Sequence, residues 1–243
     1  MTVAPTPVHP GREEHRSRWM LVAILAFLLG GLTVALLYQF DVFGGSSTSS
    51  THGSGVPVTQ ARDVASFTSV ELAGSNNVVV RVGASQSVVV KAGDNLIDRV
   101  TTEVMSGTLV IGNTPGSFST KSPMSVEVTV PRLNALTLTG SGNIVVDDIE
   151  AESLKVDLPG SGTLTGTGTA TRLDVTVGGS GVVQFTQLVA KDVRAAVSGS
   201  GSIFITATKS LDASISGSGV IVCTGNPQDV TRSVTGSGAI TGS

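Results

Sequence analysis

The chain carries one cysteine, Cys223, one Trp, one Tyr and three histidines in 243 residues. A single thiol excludes an intrachain disulfide framework, so packing must supply the stability. The histidines, His9, His15 and His52, all precede residue 56. Residues 56–243 therefore have no imidazole base or ligand, which excludes a Ser-His-Asp triad there. Charge is sparse: 14% of residues are charged, with a formal net charge of -3. That balance lacks the basic face of a nucleic-acid binder. No dinucleotide or phosphate-loop motif and no metal-ligand cluster occurs in residues 56–243, so no cofactor, metal or catalytic residue is assigned.

What is abundant is glycine, 30 residues of it, together with one long apolar run. Trp19 to Phe40 is 22 residues without a charge. As a helix it would extend roughly 33 Å, enough to cross a bilayer core. Trp19 and Tyr38 stand near its ends, Arg12, Arg16 and Arg18 precede it, and no Lys or Arg follows until Arg62. That asymmetry predicts a cytoplasmic tail over 1–18, a single-pass signal anchor over 19–40 in the cell membrane, and the remainder outside. A cleaved signal peptide is the rival, but the run is long and no small-residue cleavage site follows it. Residues 41–61, with the stretch GGSSTSSTHGSG at 44–55, read as a flexible tether. The Gly-Ser-Gly at Gly53 belongs to that tether by this reading.

Gly-Ser-Gly recurs downstream at Gly140, Gly160, Gly179, Gly199, Gly217 and Gly236, at separations of 20, 19, 20, 18 and 19 residues. Two residues before each triplet stand Leu138, Leu158, Val177, Val197, Ile215 and Val234; four after its first Gly stand Ile144, Leu164, Val183, Ile203, Ile221 and Ile240. Both columns are aliphatic. Alternation continues back through Leu136, Val156, Val175, Ala195 and Ala213, until Arg232 breaks it. This is strand periodicity phase-locked to a coil of about 18–20 residues, which predicts an all-β parallel β-solenoid over 62–243. The triplet glycines fall on the inward parity. They are expected where the wall bends sharply or approaches another wall.

Several finer expectations follow from that register. Lys155, Asp174, Arg194 and Asp212 alternate in sign one coil apart and should form a surface ion ladder, each pair worth about 0–1 kcal/mol. Cys223, in the column of Val146, Phe185 and Ile205, should be a buried core residue. Residues 62–131 alternate with a looser period and are expected to form longer coils or a cap, with 113–123 as a protruding loop. Arg232 and the short GAITGS tail suggest a frayed last coil. The acidic run Asp147, Asp148, Glu150 and Glu152 reads as a solvated turn rather than a calcium loop.

The stretches FTSVELAGSNNVVVRVG, GDNLIDRVTTEVMSGTLVIG and VEVTVPRLNALTLTGSGNI, with the recurring triplets, resemble the bacterial "putative auto-transporter adhesin, head GIN domain" family. The resemblance implies a bacterial envelope protein with a right-handed parallel β-helix and a role in adhesion; it carries over no catalytic motif.

Lys191 and Lys209, equivalent in neighbouring coils, make only a weak patch for an anionic polymer; the candidate ligand-facing feature is the outward column Ser141, Ser161, Ser180, Ser200, Ser218 and Ser237, flanked by Thr139, Ser198, Ser216 and Thr235. Stacked, these form a hydroxyl strip suited to a glycan, although turn chemistry alone also places Ser there. Three readings remain at this point. They are a membrane-anchored, non-catalytic binding or adhesion module for envelope glycan or a surface protein; a carbohydrate-active β-helix hydrolase or lyase; and an envelope assembly protein associating through its solenoid ends or membrane helices.

Overall fold

The computed structural model describes residues 50–242. The tail and the anchor expected over 1–40 lie outside the described residues. No helix among the described residues is long and apolar enough to cross a membrane.

The body is a parallel β-solenoid. Alternating side chains bury one face of the strands in the inner coils, where stacking satisfies the backbone on both sides. The chain runs through long bent strands, Asn143–Leu158, Thr163–Val177, Val182–Val197 and Ser202–Gly217, each lying parallel on the one before. Within a coil the ladder runs in three stretches. Asn143 to Val146 pairs Thr163 to Gly166, Ile149 to Ala151 pairs Gly168 to Ala170, and Ser153 to Leu158 pairs Arg172 to Val177. Bends between the stretches give the three short walls that the coil length requires.

The observed register agrees residue by residue with the alignment on the triplets. Leu136 pairs Val156, which pairs Val175, then Ala195, Ala213 and Arg232. Ile144, Leu164, Val183, Ile203, Ile221 and Ile240 do the same on the other side of the corner. Nearly all of these aliphatics are fully buried, and they form one continuous core with Phe185 and Cys223. Each buried Val, Leu or Ile contributes roughly 1.5–3 kcal/mol before the entropy of ordering is set against it.

The glycines stand at a bend of the wall, as expected, but the contact that excludes a side chain there is with the preceding coil. A Cβ built on Gly179 would lie 2.1 Å from the carbonyl oxygen of Gly160, and one on Gly160 would lie 2.2 Å from that of Gly140. The first glycine of a triplet is thus required by the coil beneath it, along the stacking axis, and not by a facing wall. The second glycine meets the coil below and the core together. On Gly162 a Cβ would lie 2.0 Å from the Gly142 oxygen and 2.8 Å from Leu138 Cδ2.

The early part of the chain forms a cap whose stacking order departs from sequence order. Ser69–Leu72 and Asn77–Val82 make a coil that lies directly beneath the Ala135–Val146 coil. The chain then descends rather than ascends: Thr108–Asn113 and Ser125–Val130 lie below that coil. Antiparallel strands close this end, with Ser87–Gly93 against Ser125–Val130 and Pro57–Arg62, and Val100–Met105 hairpinned onto Thr108–Asn113. Asn76 takes the second-glycine position of its coil, where no triplet lies beneath. Its amide reaches Gly112 O at 3.3 Å and Asn113 Oδ1 at 3.2 Å instead.

Two expectations near the start are corrected. The tether does not extend to residue 61, because Pro57–Arg62 is a ladder strand on Ser87–Gly93 and Thr51–His52 pairs Phe118–Ser119. The triplet at Gly53 is not a spacer: Gly53 is buried, and its amide donates to Ser119 O at 2.7 Å. Backbone hydrogen bonds hold this strap, assisted by Arg99 Nη2 donating to Thr51 Oγ1 at 3.0 Å. Apolar periodicity plays little part. The same pairing ties down the 113–123 loop. At the far end Asp229–Gly236 is a formed strand on Ser210–Gly217 rather than a frayed tail, although all its residues are exposed.

Candidate functional site

Each triplet turns the corner between two walls, and backbone hydrogen bonds to the coil below set its position. The amides of Ser161, Ser200, Ser218 and Ser237 donate at 3.2, 3.2, 3.1 and 3.0 Å to the first-glycine carbonyls of Gly140, Gly179, Gly199 and Gly217. The hydroxyls are therefore carried on a rigid edge, one per coil. Ser141, Ser161, Ser180, Ser200, Ser218 and Ser237 are all exposed. At about 4.8 Å between strands they span about 24 Å.

The flanking column is less uniform than the hydroxyl residues alone indicate. Thr139, Ser198, Ser216 and Thr235 are exposed, but Pro159 and Gly178 occupy the same position in the two intervening coils. Thr139 Oγ1 is shared with Glu71 Oε1 at 3.4 Å and Leu72 O at 3.4 Å. The strip is one Ser wide in the middle and broader toward residue 242.

Charge divides at this edge, which sequence reading did not isolate. The wall before the triplet carries Lys155, Asp157, Asp174, Arg194 and Asp212 on its outer face. The middle outward column of the wall after it carries none over five coils, Val145, Thr165, Gln184, Phe204 and Val222 succeeding one another in register; Asp147, paired with Arg81, stands at the far margin of its first coil. Val145 is 38% exposed, and Phe204 and Val222 are half-buried. The signal was present in the sequence as an uncharged outward column five residues after each first glycine.

The charged wall makes its own contacts. Lys155, Asp174, Arg194 and Asp212 are in register as expected, yet only Arg194 and Asp212 form an ion pair of that ladder, at 3.8 Å. Lys155 Nζ turns to Asp157 on its own strand, at 2.8 Å, which raises the lysine's pKa. Asp192 accepts from Ser210 Oγ at 2.7 Å and pairs Lys209 at 3.2 Å; these partners, the serine first, hold its carboxyl below the usual range. A shallow dish of about 300 Å³ lies among Arg172, Asp174, Asp192, Arg194, Ser210 and Asp212. Both signs line it, with Arg194–Asp212 and Lys209–Asp192 paired at its rim, and no ligand is assigned to it.

The acidic run after the second wall is spread along a bend. Asp147 reaches Arg81 at 3.8 Å, and Asp148 adopts φ 59° at the register shift. Among the described residues no group of three His, Cys, Asp or Glu side chains is placed to hold a metal ion. Cys223 is fully buried, as its column required, and burial pushes its thiol pKa up. A thiol-reactive dye is expected to leave the native protein unlabelled at neutral pH and to label it stoichiometrically in denaturant. Rapid native labelling would contradict the buried position.

Comparisons with other proteins agree with this architecture. No curated protein matches the chain. A crystal structure of a "putative adhesin" from Bacteroides fragilis is similar at TM-score 0.65 and 22% identity, over 78% of this chain and 98% of that one. A "putative adhesin" from Parabacteroides distasonis matches at TM-score 0.51 and 21% identity, over 79% and 99% of the two chains. A "putative lipid binding protein" of the same species matches at 0.50 and 21%, over 79% and 98%. At these identities the likeness concerns the fold. The family described as "Putative auto-transporter adhesin, head GIN domain" matches residues 66–227, two thirds of the sequence, and the chain belongs to that family.

Proposed function

We propose that the protein is a non-catalytic binding module held at the cell membrane by residues 19–40, its solenoid displayed on the outer side, and that its ligand is an uncharged, hydroxyl-rich envelope glycan. The observation that carries this reading is the pairing of the Ser edge with the uncharged wall. Six hydroxyls at fixed spacing border a flat face whose exposed groups are hydroxyl, amide and apolar. Such a face hydrogen-bonds sugar hydroxyls, while Phe204 and the valines accept the C–H faces of the rings. Because the stack orders the edge before binding, little conformational entropy remains to be lost. The anchor rests on the apolar run and the arginines before it. The family's adhesin description supports binding rather than turnover.

The test is retention of purified protein on fractionated envelope polysaccharides and peptidoglycan, with product analysis of the same samples. Saturable binding to neutral glycan without new chain ends is expected. Ser161→Trp with Ser200→Trp should weaken it at least tenfold, about 1.4 kcal/mol, whereas Arg194→Ala with Asp212→Ala should leave it unchanged. New reducing or unsaturated ends would establish an enzyme instead, and binding that follows the charged wall would remove the glycan reading. Carbonate-resistant membrane association, with the solenoid open to added protease on intact spheroplasts, tests the anchor and its orientation.

A further inference from the structure

The two ends of the solenoid differ. At one end the outermost strands, Pro57–Arg62 and Val100–Met105, are laid antiparallel across the stack and interrupt its coil register. At the other, Asp229–Gly236 and Ala239–Thr241 have strand neighbours on one side only among the described residues. Their inward column is Val230, Arg232, Val234 and Ile240, with Val230 41% and Val234 46% exposed. An open edge of this kind pairs readily with another strand.

We propose that this end binds a second copy of the chain across a two-fold axis through the corner at Ser237, joining two solenoids end to end. Backbone polarity, side-chain parity and charge each favour that axis. A strand directs alternate residues to each neighbour. Ala239 donates to Gly219 of the preceding coil at 3.1 Å, which leaves Ile240 facing the open edge. Lys155 donates to Asn134 at 3.0 Å; its equivalent in the last coil is Thr231, so Val234 also faces outward along the stack. A two-fold at Ser237 sets each residue opposite the one equidistant from it. Val234 then meets Ile240 of the second copy, both on the core side and both presenting free N–H and C=O groups, while Gly236 meets the second Gly238.

Charge decides between registers. An axis through Arg232 would also align valines, Val230 on Val234, but it would press two guanidinium groups together. The corner axis places Arg232 opposite Gly242 of the second copy, the same residue to whose carbonyl Arg232 Nη2 donates within its own chain at 2.5 Å. Head-to-tail stacking would instead lay this parallel edge on the antiparallel cap, so the closed solution is a two-fold dimer. Its consequence is that the two Ser edges run collinear and form one strip of doubled length, which multiplies contacts to a polymeric ligand.

The test is mass by analytical ultracentrifugation of the full chain in detergent and of residues 50–243, which hold the entire core from Phe67 to Cys223. Two copies are expected for both. Val234→Lys with Ile240→Lys should give a single copy with an unchanged circular dichroism spectrum, and Ser237→Cys should cross-link into a covalent dimer where Ser141→Cys does not. The proposal is overturned by a single-copy mass at all concentrations, by a dimer that survives the lysine pair, or by dimerisation of the full chain alone, which would assign the contact to residues 1–49. None of these outcomes depends on glycan binding.

Discussion

Replacing Gly179 by alanine should lower the stability of the solenoid by about 3 kcal/mol, whereas the same change at its neighbour Gly178 should leave it unaltered. The two glycines are adjacent, on the same turn and of the same propensity, so their contrast isolates one cause. A Cβ on Gly179 would lie 2.1 Å from Gly160 O and 2.5 Å from Pro159 O. Both contacts are backbone, held in the ladder on either side, and neither can yield without opening the separation between coils. A Cβ on Gly178 would lie 3.7 Å from Pro159 Cα and 3.8 Å from Ser198 Oγ, ordinary contact. Overpacking costs typically 1–3 kcal/mol, and the upper end applies because the obstruction is rigid. For a body of this size that is a fall in Tm of about 10 °C. Thermal unfolding of the two variants decides the matter; equal Tm values would mean that the coils adjust their spacing freely.

The second large effect concerns the widest side chain of the core. Phe185 is fully buried, in a column that contains Gly166 immediately before it in the stack. A Cβ on Gly166 would lie 2.7 Å from Phe185 Cε1, so the ring occupies space that the missing side chain leaves open. Phe185→Ala should therefore cost about 3–5 kcal/mol. Gly166→Ala should also destabilise the wild-type protein, by about 1–3 kcal/mol, but have no adverse effect once Phe185 is alanine. The coupling in this double-mutant cycle should reach about 1–3 kcal/mol. Additive single effects would show that ring and glycine do not share the space. The column Val146, Phe185, Ile205 and Cys223 was legible as core from spacing alone, but Gly166 breaks the apolar pattern. Only the contact with the ring explains its presence there.

That pair illustrates a wider division. The registry of the two walls beside each triplet was readable from sequence because, in a sequential stack, each residue's spatial neighbour lies one coil away along the chain; the third wall, where the register shifts, was not. A fixed spacing therefore encodes the contact. Alternation of apolar residues named the core face, and the triplets named the corners. The hydroxyl edge followed directly, since inward and outward positions are set by a period of two.

What the tertiary structure alone decided are features whose partners lie at irregular distances along the chain or involve only backbone. The strap at Thr51–His52 and Pro57–Arg62 is held by main-chain hydrogen bonds, which leave no pattern of side chains to read, so Gly53 resembled a linker. The cap runs against sequence order because Thr108–Asn113 lies beneath Ser69–Leu72, an arrangement no repeat spacing announces. Why the triplets are glycine was likewise decided by stacking: a count of positions shows that a side chain is missing, but the carbonyl oxygen that excludes it belongs to the coil below. The sequence by itself determined the coil, its register and its outward residues, because those are properties of one repeating strand. The ends, the strap and the steric origin of the corners depend on what is stacked against that strand, and that is a property of the assembled solenoid.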